Sequence, residues 1–156
     1  MNKIKIESIQ PQLVAGMRYR GSYDNIMDVL PTLLGYLTSQ GVELSGPPIF
    51  INHEPTPEDS LIEEAKGNAD IEICAPVSQK IKDNDLIKCY TLPGGRMAKS
   101  VHEGPYSELG LLRQRIIRWA KRNRRMLTAP LREYILNDPL RVPEKEILTE
   151  VYAPIN

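Results

Sequence analysis

The sequence predicts an α+β domain in which a strand-strand-helix-strand-strand unit is used twice about a pseudo-two-fold axis. One large antiparallel sheet would carry two main helices on one face and leave a pocket at the seam between the halves. The first observation behind this reading is an ordered internal repeat. Ile4-Lys5-Ile6 recurs as Ile87-Lys88-Cys89, and Gly21-Ser22-Tyr23 recurs as Gly104-Pro105-Tyr106, both at a displacement of 83. At a displacement of 84, "IFINHEP" (49–55) falls beside "EYILNDP" (133–139); at 78, "IEICAPV" (71–77) falls beside "TEVYAPI" (149–155). The drop from 84 to 78 makes the connection before the last strand six residues shorter in the second copy, as loops tolerate. The second observation is the pattern within each copy, where two-residue alternation gives way to three-four spacing and then returns.

Taken in order, "KIKIESI" (3–9) and "LVAGMRYRG" (13–21) alternate apolar and polar and are split by Gln10-Pro11-Gln12, which reads as a hairpin. A helix from Tyr23 to about Gln40 follows, with Ile26, Leu30, Leu33, Leu34 and Leu37 on its apolar stripe and Gly41 suited to end it. Pro31 lies inside that span and should kink the axis or shorten the helix to a turn. "PPIFINHE" (47–54) and "DIEICAP" (70–76) close the first copy as strands. In the second copy "DLIKCYTL" (85–92) and "RMAKSVHEG" (96–104), split by Pro93-Gly94-Gly95, again read as a hairpin. Pro105 suits the first position of a helix running to about Asn123 on Leu109, Leu112, Ile116 and Trp119. "LREYILN" (131–137) and "EILTEVYAP" (146–154) are the closing strands.

At 156 residues and 41% apolar content the chain suits a single domain, residues 1–156, with repeats at about 1–80 and 81–156. Twenty basic against twenty acidic residues give no net field, so neither bulk nucleic-acid attraction nor membrane adsorption is implied. There is no apolar run of membrane-spanning length and no leader-like segment after Met1, so a cytoplasmic location is expected. Cys74 and Cys89, 15 apart, read as reduced, mostly buried thiols. No spacing of His, Cys and carboxylates suggests a metal, and no cofactor is expected.

Glu133 is the residue that most needs explaining, because an acid interrupts an otherwise buried strand that Asn137-Asp138-Pro139 terminates. At the displacement of 84 it replaces Ile49, an aliphatic residue. Alternation puts Glu133, Ile135 and Asn137 on one side, and Arg132, Tyr134 and Leu136 on the other. A carboxylate removed from water costs several kcal/mol unless it is paired, and a ligand cation or a neighbouring arginine could supply that pair. An edge position reaching water is the plainer alternative. Glu150 and Glu72 occur in both copies, so a symmetric structural role is at least as good a reading for them as ligand contact.

The doubled pattern, with Gly-x-Tyr opening each helix, "REYILNDP" and the closing "EILTEVYAPI", resembles the GyrI-like small-molecule-binding family, also called the AraC effector-binding domain, over essentially the whole chain. That family includes Rob-like and BmrR-like effector domains, stand-alone gyrase-inhibitory proteins of bacteria and a branch that hydrolyses cyclopropane-bearing natural products. The resemblance matches Glu133 to the acid at the bottom of the BmrR-like pocket for cationic lipophilic compounds. It implies a stand-alone binder of cationic or amphiphilic molecules, acting in sensing or sequestration. Two alternatives stay open: a hydrolase in which Glu133 positions or deprotonates water, and a protein inhibitor of the gyrase-directed type.

Tyr19, Tyr106 and Trp119 join Glu133 and Glu150 as candidate ligand contacts, since tyrosine and tryptophan offer flat faces to a cation. Core packing is the alternative for each of the aromatics. From Arg96 to Arg125 the chain holds nine basic residues against Glu103 and Glu108, while Glu43 to Glu72 holds eight acids against Lys66. Such polarity could steer self-association, as in a homodimer, or attract a protein partner. Direct DNA binding is not expected, because no helix-turn-helix module precedes the repeats.

Overall fold

The computed structural model describes residues 3–22 and 25–156; Tyr23, expected to open the first helix, lies outside them. The order of elements is β1 (Lys5–Ile9), β2 (Gln12–Gly21), α1 (Ile26–Ser39), β3 (Ile49–Asn52), α2 (Pro57–Ala65), β4 (Ala69–Pro76), β5 (Ile87–Leu92), β6 (Gly95–Glu103), α3 (Leu109–Arg122), β7 (Arg132–Ile135) and β8 (Leu148–Pro154). All eight expected strands form, and they join one antiparallel sheet in the order β1-β6-β8-β7-β3-β4-β2-β5. Exchanging the copies reverses this order onto itself, which places the pseudo-two-fold axis between β3 and β7.

The two expected hairpins do not form. β1 pairs with β6 and β2 with β5, so the first strand of each copy is lent to the other. Turn geometry explains this. A two-residue hairpin turn needs positive φ at its first position or at both, and a proline ring locks φ at a negative value. Pro93 bars the turn between β5 and β6 outright. Between β1 and β2 the turn would need a positive φ at Gln10, and Arg124 is the only non-glycine among the described residues with one. The two connections instead cross at the axis, where Ile9 pairs with Gly95 and Gln12 with Leu92. Gly94 is needed there, because a Cβ at this position would lie 2.3 Å from the Ile9 carbonyl oxygen.

α1 and α3 cover the same sheet face. Leu33 and Leu37 of α1 pack on Ala15, Phe50, Ile71 and Ile73, while Leu109, Leu112 and Ile116 of α3 pack on Ala98, Val151 and Ala153. The opposite face bears Val14, Ile49, Ile51, Cys74, Met97, Tyr134 and Tyr152, and no helix residue among those described joins its cluster. These faces correct the register of the repeat. Phe50 stands directly across from Glu133 on the helix side, whereas Ile49 points the other way. The structural counterpart of Glu133 is therefore Phe50, at a displacement of 83, since a one-residue slip exchanges the two faces of a strand.

α1 continues through Pro31, which is exposed, so the helix is not cut short there. Pro105 sits one position earlier than expected, just before a 3-10 turn (Tyr106–Glu108) that leads into α3. α2 was not anticipated, because Glu58, Asp59, Glu63 and Glu64 leave it little apolar stripe. Its start is nevertheless conventional: Thr56 Oγ1 accepts a hydrogen bond from Asp59 N at 3.0 Å, and Pro57 takes the first position. α2 occupies the connection that is longer in the first copy.

Both main helices end in the same reverse turn. Gly41 N and Val42 N bond back to Thr38 O and Leu37 O, and Arg124 N and Arg125 N to Lys121 O and Ala120 O. Gly41 has φ 67°, and Arg124, its counterpart at a displacement of 83, has φ 54°. A side chain in that region costs about 1 kcal/mol. Arg124→Gly is expected to raise the thermal midpoint by about 2 °C, less than the full relief because glycine also loosens the unfolded chain. Thermal unfolding of the two proteins checks this.

Candidate functional site

The crossing connections close the seam on the helix-free face. Arg132 Nη2 donates to Pro93 O at 2.7 Å and Tyr134 OH to Gln12 Oε1 at 2.6 Å, tying β7 to one connection and to the start of β2, where the other ends. On the helix face the seam is open. A cleft of about 270 Å3 lies there, walled by Asn52, Glu54, Thr56 and Ser60 on one side and by Arg113, Ile117 and the segment 127–131 on the other. Glu133 forms part of its lining.

Glu133 is only 4% exposed, and its Oε1 accepts a 2.6 Å hydrogen bond from Arg113 Nε. Arg113 Nη1 also bonds Glu64 of α2, whose other oxygen is 3.4 Å from Asn52 Nδ2. One guanidinium thus joins a strand of the seam to the extra helix. Arg113 was visible in the sequence only as one of nine basic residues. The signal that finds it is its position: it lies on the buried stripe of α3 with Leu109, Leu112, Ile116 and Ala120, where a cation has no reason to be without a partner. Its counterpart in the first copy, at the same displacement of 83, is Leu30, which packs in the α1 core.

That contrast between the halves extends further. Met17 and Ile71 in the α1 half correspond to Ser100 and Thr149 in the α3 half, both at most 2% exposed. The hydroxyls of Ser100, Thr149 and Tyr106 are buried and have no hydrogen-bond partner among the described residues. Burial and then the Glu133 carboxylate push the Tyr106 pKa up to about 12. Of the sequence candidates, Glu133 lines the cleft, while Tyr106 packs against the α3 core. The other three lie elsewhere. Tyr19 packs against the α1 core with its hydroxyl buried and unpartnered among the described residues, and Trp119 packs against the α3 core.

Glu150 sits on the helix-free face, 2.7 Å from Tyr152 OH and 3.3 Å from Lys99 Nζ. Its counterpart Glu72 is held differently. His53 Nε2 lies 2.6 Å from one Glu72 oxygen and Tyr90 OH donates to the other at 2.8 Å. Gly16 stands where the second copy has Lys99, and a Cβ there would lie 2.1 Å from Glu72 Oε2. Burial raises the Glu72 pKa, but the hydrogen bonds from His53, Tyr90 and Cys74 outweigh it and leave the group below its ordinary value. A depressed folded-state pKa contributes stability above the unfolded value of about 4.3 and loses it as pH falls through the folded one. Glu72→Gln should therefore lower the thermal midpoint at pH 7, with the gap to the parent protein closing below about pH 4. Melting curves from pH 7 to 3 test this.

Among solved structures, EcmrR aligns over the full length: its C-terminal domain has a TM-score of 0.87 at 19% identity, covering 100% of this chain and 98% of that one. In the EcmrR complex with DNA the TM-score is 0.88, also at 19% identity, and the match covers 99% of this chain but 57% of the regulator. The chain thus spans little more than half of that protein. A hydrolase encoded by lin2189 from Listeria innocua matches with a TM-score of 0.69 at 14% identity, covering 99% of this chain and 92% of that one. SAV2435 bound to tetraphenylphosphonium matches with 0.59 at 10% identity, covering 99% and 94%. At these identities the likeness is one of fold. No curated protein sequence matches, and no helix among the described residues is long and apolar enough to cross a membrane. The family model for the GyrI-like small molecule binding domain matches residues 2–156, and the chain belongs to that family of ligand-binding domains.

Proposed function

We propose that the cleft over the seam binds lipophilic cations and that the domain acts in sensing or sequestering them. The observation that carries this is the state of Glu133. It lines the cleft, Arg113 engages Oε1, and Oε2 accepts no hydrogen bond from the described residues. A carboxylate oxygen at the edge of an apolar wall of Ile117, Leu127, Ala129, Pro130 and Leu131 offers an oily cation both area and charge. Of the described residues lining the cleft, Glu54 and Glu133 are acidic and Arg113 alone is basic. The SAV2435 complex with tetraphenylphosphonium, on the same fold, supports that class of ligand and supplies a probe.

Calorimetric titration with tetraphenylphosphonium is expected to show saturable binding that weakens about tenfold or more in Glu133→Gln, since a single lost charge contact of about 1.4 kcal/mol has that effect. Equal affinity in the two proteins would remove Glu133 from the site. Steady consumption of a strained, electrophilic probe, lost in the same variant, would instead move the reading to hydrolysis.

A further inference from the structure

We propose that the chain forms a two-fold dimer in which β1 pairs antiparallel with β1 of a second copy, joining the two sheets into one. β1 lies at the sheet edge, beyond β6 and β8 from β7 and the cleft, so nothing here depends on what the cleft binds.

The two edges of the sheet are twins that are finished differently. β1 and β5 are related by the displacement of 83, and the pairing of Cys89 with Ala15 is repeated in that of Ile6 with Ala98. Outside β5 the chain supplies its own cover. Cys89 N donates to Asp83 Oδ1 at 2.8 Å, Ile87 N donates to Asn84 Oδ1 at 2.6 Å, and Ile87 O accepts from Asn84 N at 2.9 Å. Because the registers match, Ile4 and Ile6 turn their backbone groups outward as Ile87 and Cys89 do, and Ser8 follows by alternation. Among the described residues nothing bonds to that row. An open edge of this kind is a template for another strand.

The side chains of β1 select the strand that fits. Lys5 stands directly across from Lys99 of β6, and Lys99 already reaches Glu7 at 3.4 Å and Glu150 at 3.3 Å. Lys5 thus faces a like charge and has no acid partner among the described residues. Ile6, on the face that α3 covers, is 38% exposed. A two-fold axis beside Ile6, perpendicular to the sheet, resolves both. Ile6 then exchanges its two backbone bonds with the partner's Ile6, and Ile4 pairs with the partner's Ser8, while the two Ile6 side chains cover each other. On the other face Lys5 lies across from the partner's Glu7, and Glu7 across from the partner's Lys5. Moving the axis by one residue fails in either direction: centred on Lys5 it opposes two lysines, and centred on Glu7 it opposes two glutamates.

Such a contact is isologous and closed, with the clefts of both copies on the same side of the joined sheet. One strand pair is a small interface, so association is concentration-dependent rather than obligate.

Sedimentation equilibrium of the full chain from about 5 to 500 µM, a range suited to small interfaces, should show the average mass rising from one chain toward two. Ile6→Lys sets two cations across the axis and should weaken association by about tenfold or more, with the far-UV circular dichroism unchanged. Lys5→Glu and Glu7→Lys should each weaken it too, because either change opposes like charges. The double variant Lys5→Glu/Glu7→Lys restores opposite charges and should recover association. A dimer that survives Ile6→Lys uses another surface and overturns the proposal, as does a double variant no better than the single ones. A monomer over the whole range overturns it as well and leaves the edge to an extended segment of a different protein.

Discussion

Two short connections constrain the whole architecture. Pro93 in one, and the positive φ that Gln10 would have to adopt in the other, disfavour two-residue hairpin turns, and the first strand of each copy pairs in the other half instead. The result is a single eight-stranded sheet rather than two modules in contact. Because the connections cross on the axis, they shut the helix-free face of the seam, and Gly94 is the residue small enough to let them pass. The helix face has no such cover. The position of the cleft is thus a by-product of how the halves are tied together.

Within that symmetric frame the halves have diverged in chemistry. On and below α1 the corresponding positions hold Met17, Leu30, Phe50 and Ile71; on and below α3 they hold Ser100, Arg113, Glu133 and Thr149. An apolar core of the first kind stabilises through area removed from water. A buried ion pair does poorly by that measure, since its attraction has to offset the desolvation of both charges. Its retention next to a cleft, with α2 recruited as a third member, fits a part of the molecule organised around recognition rather than around stability.

Much of the fold was legible in the sequence because the repeat supplied an internal comparison. Strand positions, both main helices and the common face they share follow from alternation, three-four spacing and the doubled Gly-x-Tyr. Strand pairing did not follow, since alternation says which face a residue takes and nothing about which strand lies beside it. The off-by-one alignment of Glu133 with Ile49 had a related source: matching "IFINHEP" to "EYILNDP" by identity aligned the letters, whereas facing aligns Glu133 with Phe50. α2 escaped because a cap and a few apolar residues in an acidic stretch leave no strong periodic signal. Of the site, Glu133 stood out as an acid in an apolar strand, but its partner needed three dimensions, since Arg113 is distant in sequence and sits on a different element.

The exchange of first strands also has a bearing on biosynthesis. β1 leaves the ribosome before β6, its pairing partner among the described residues, which ends at Glu103. Until then β1 lacks that partner, and its exposed edge is the kind that other chains can capture. A doubled scaffold of this type gains a single continuous core at the expense of modular folding: no nascent fragment ending before β6 can complete either half.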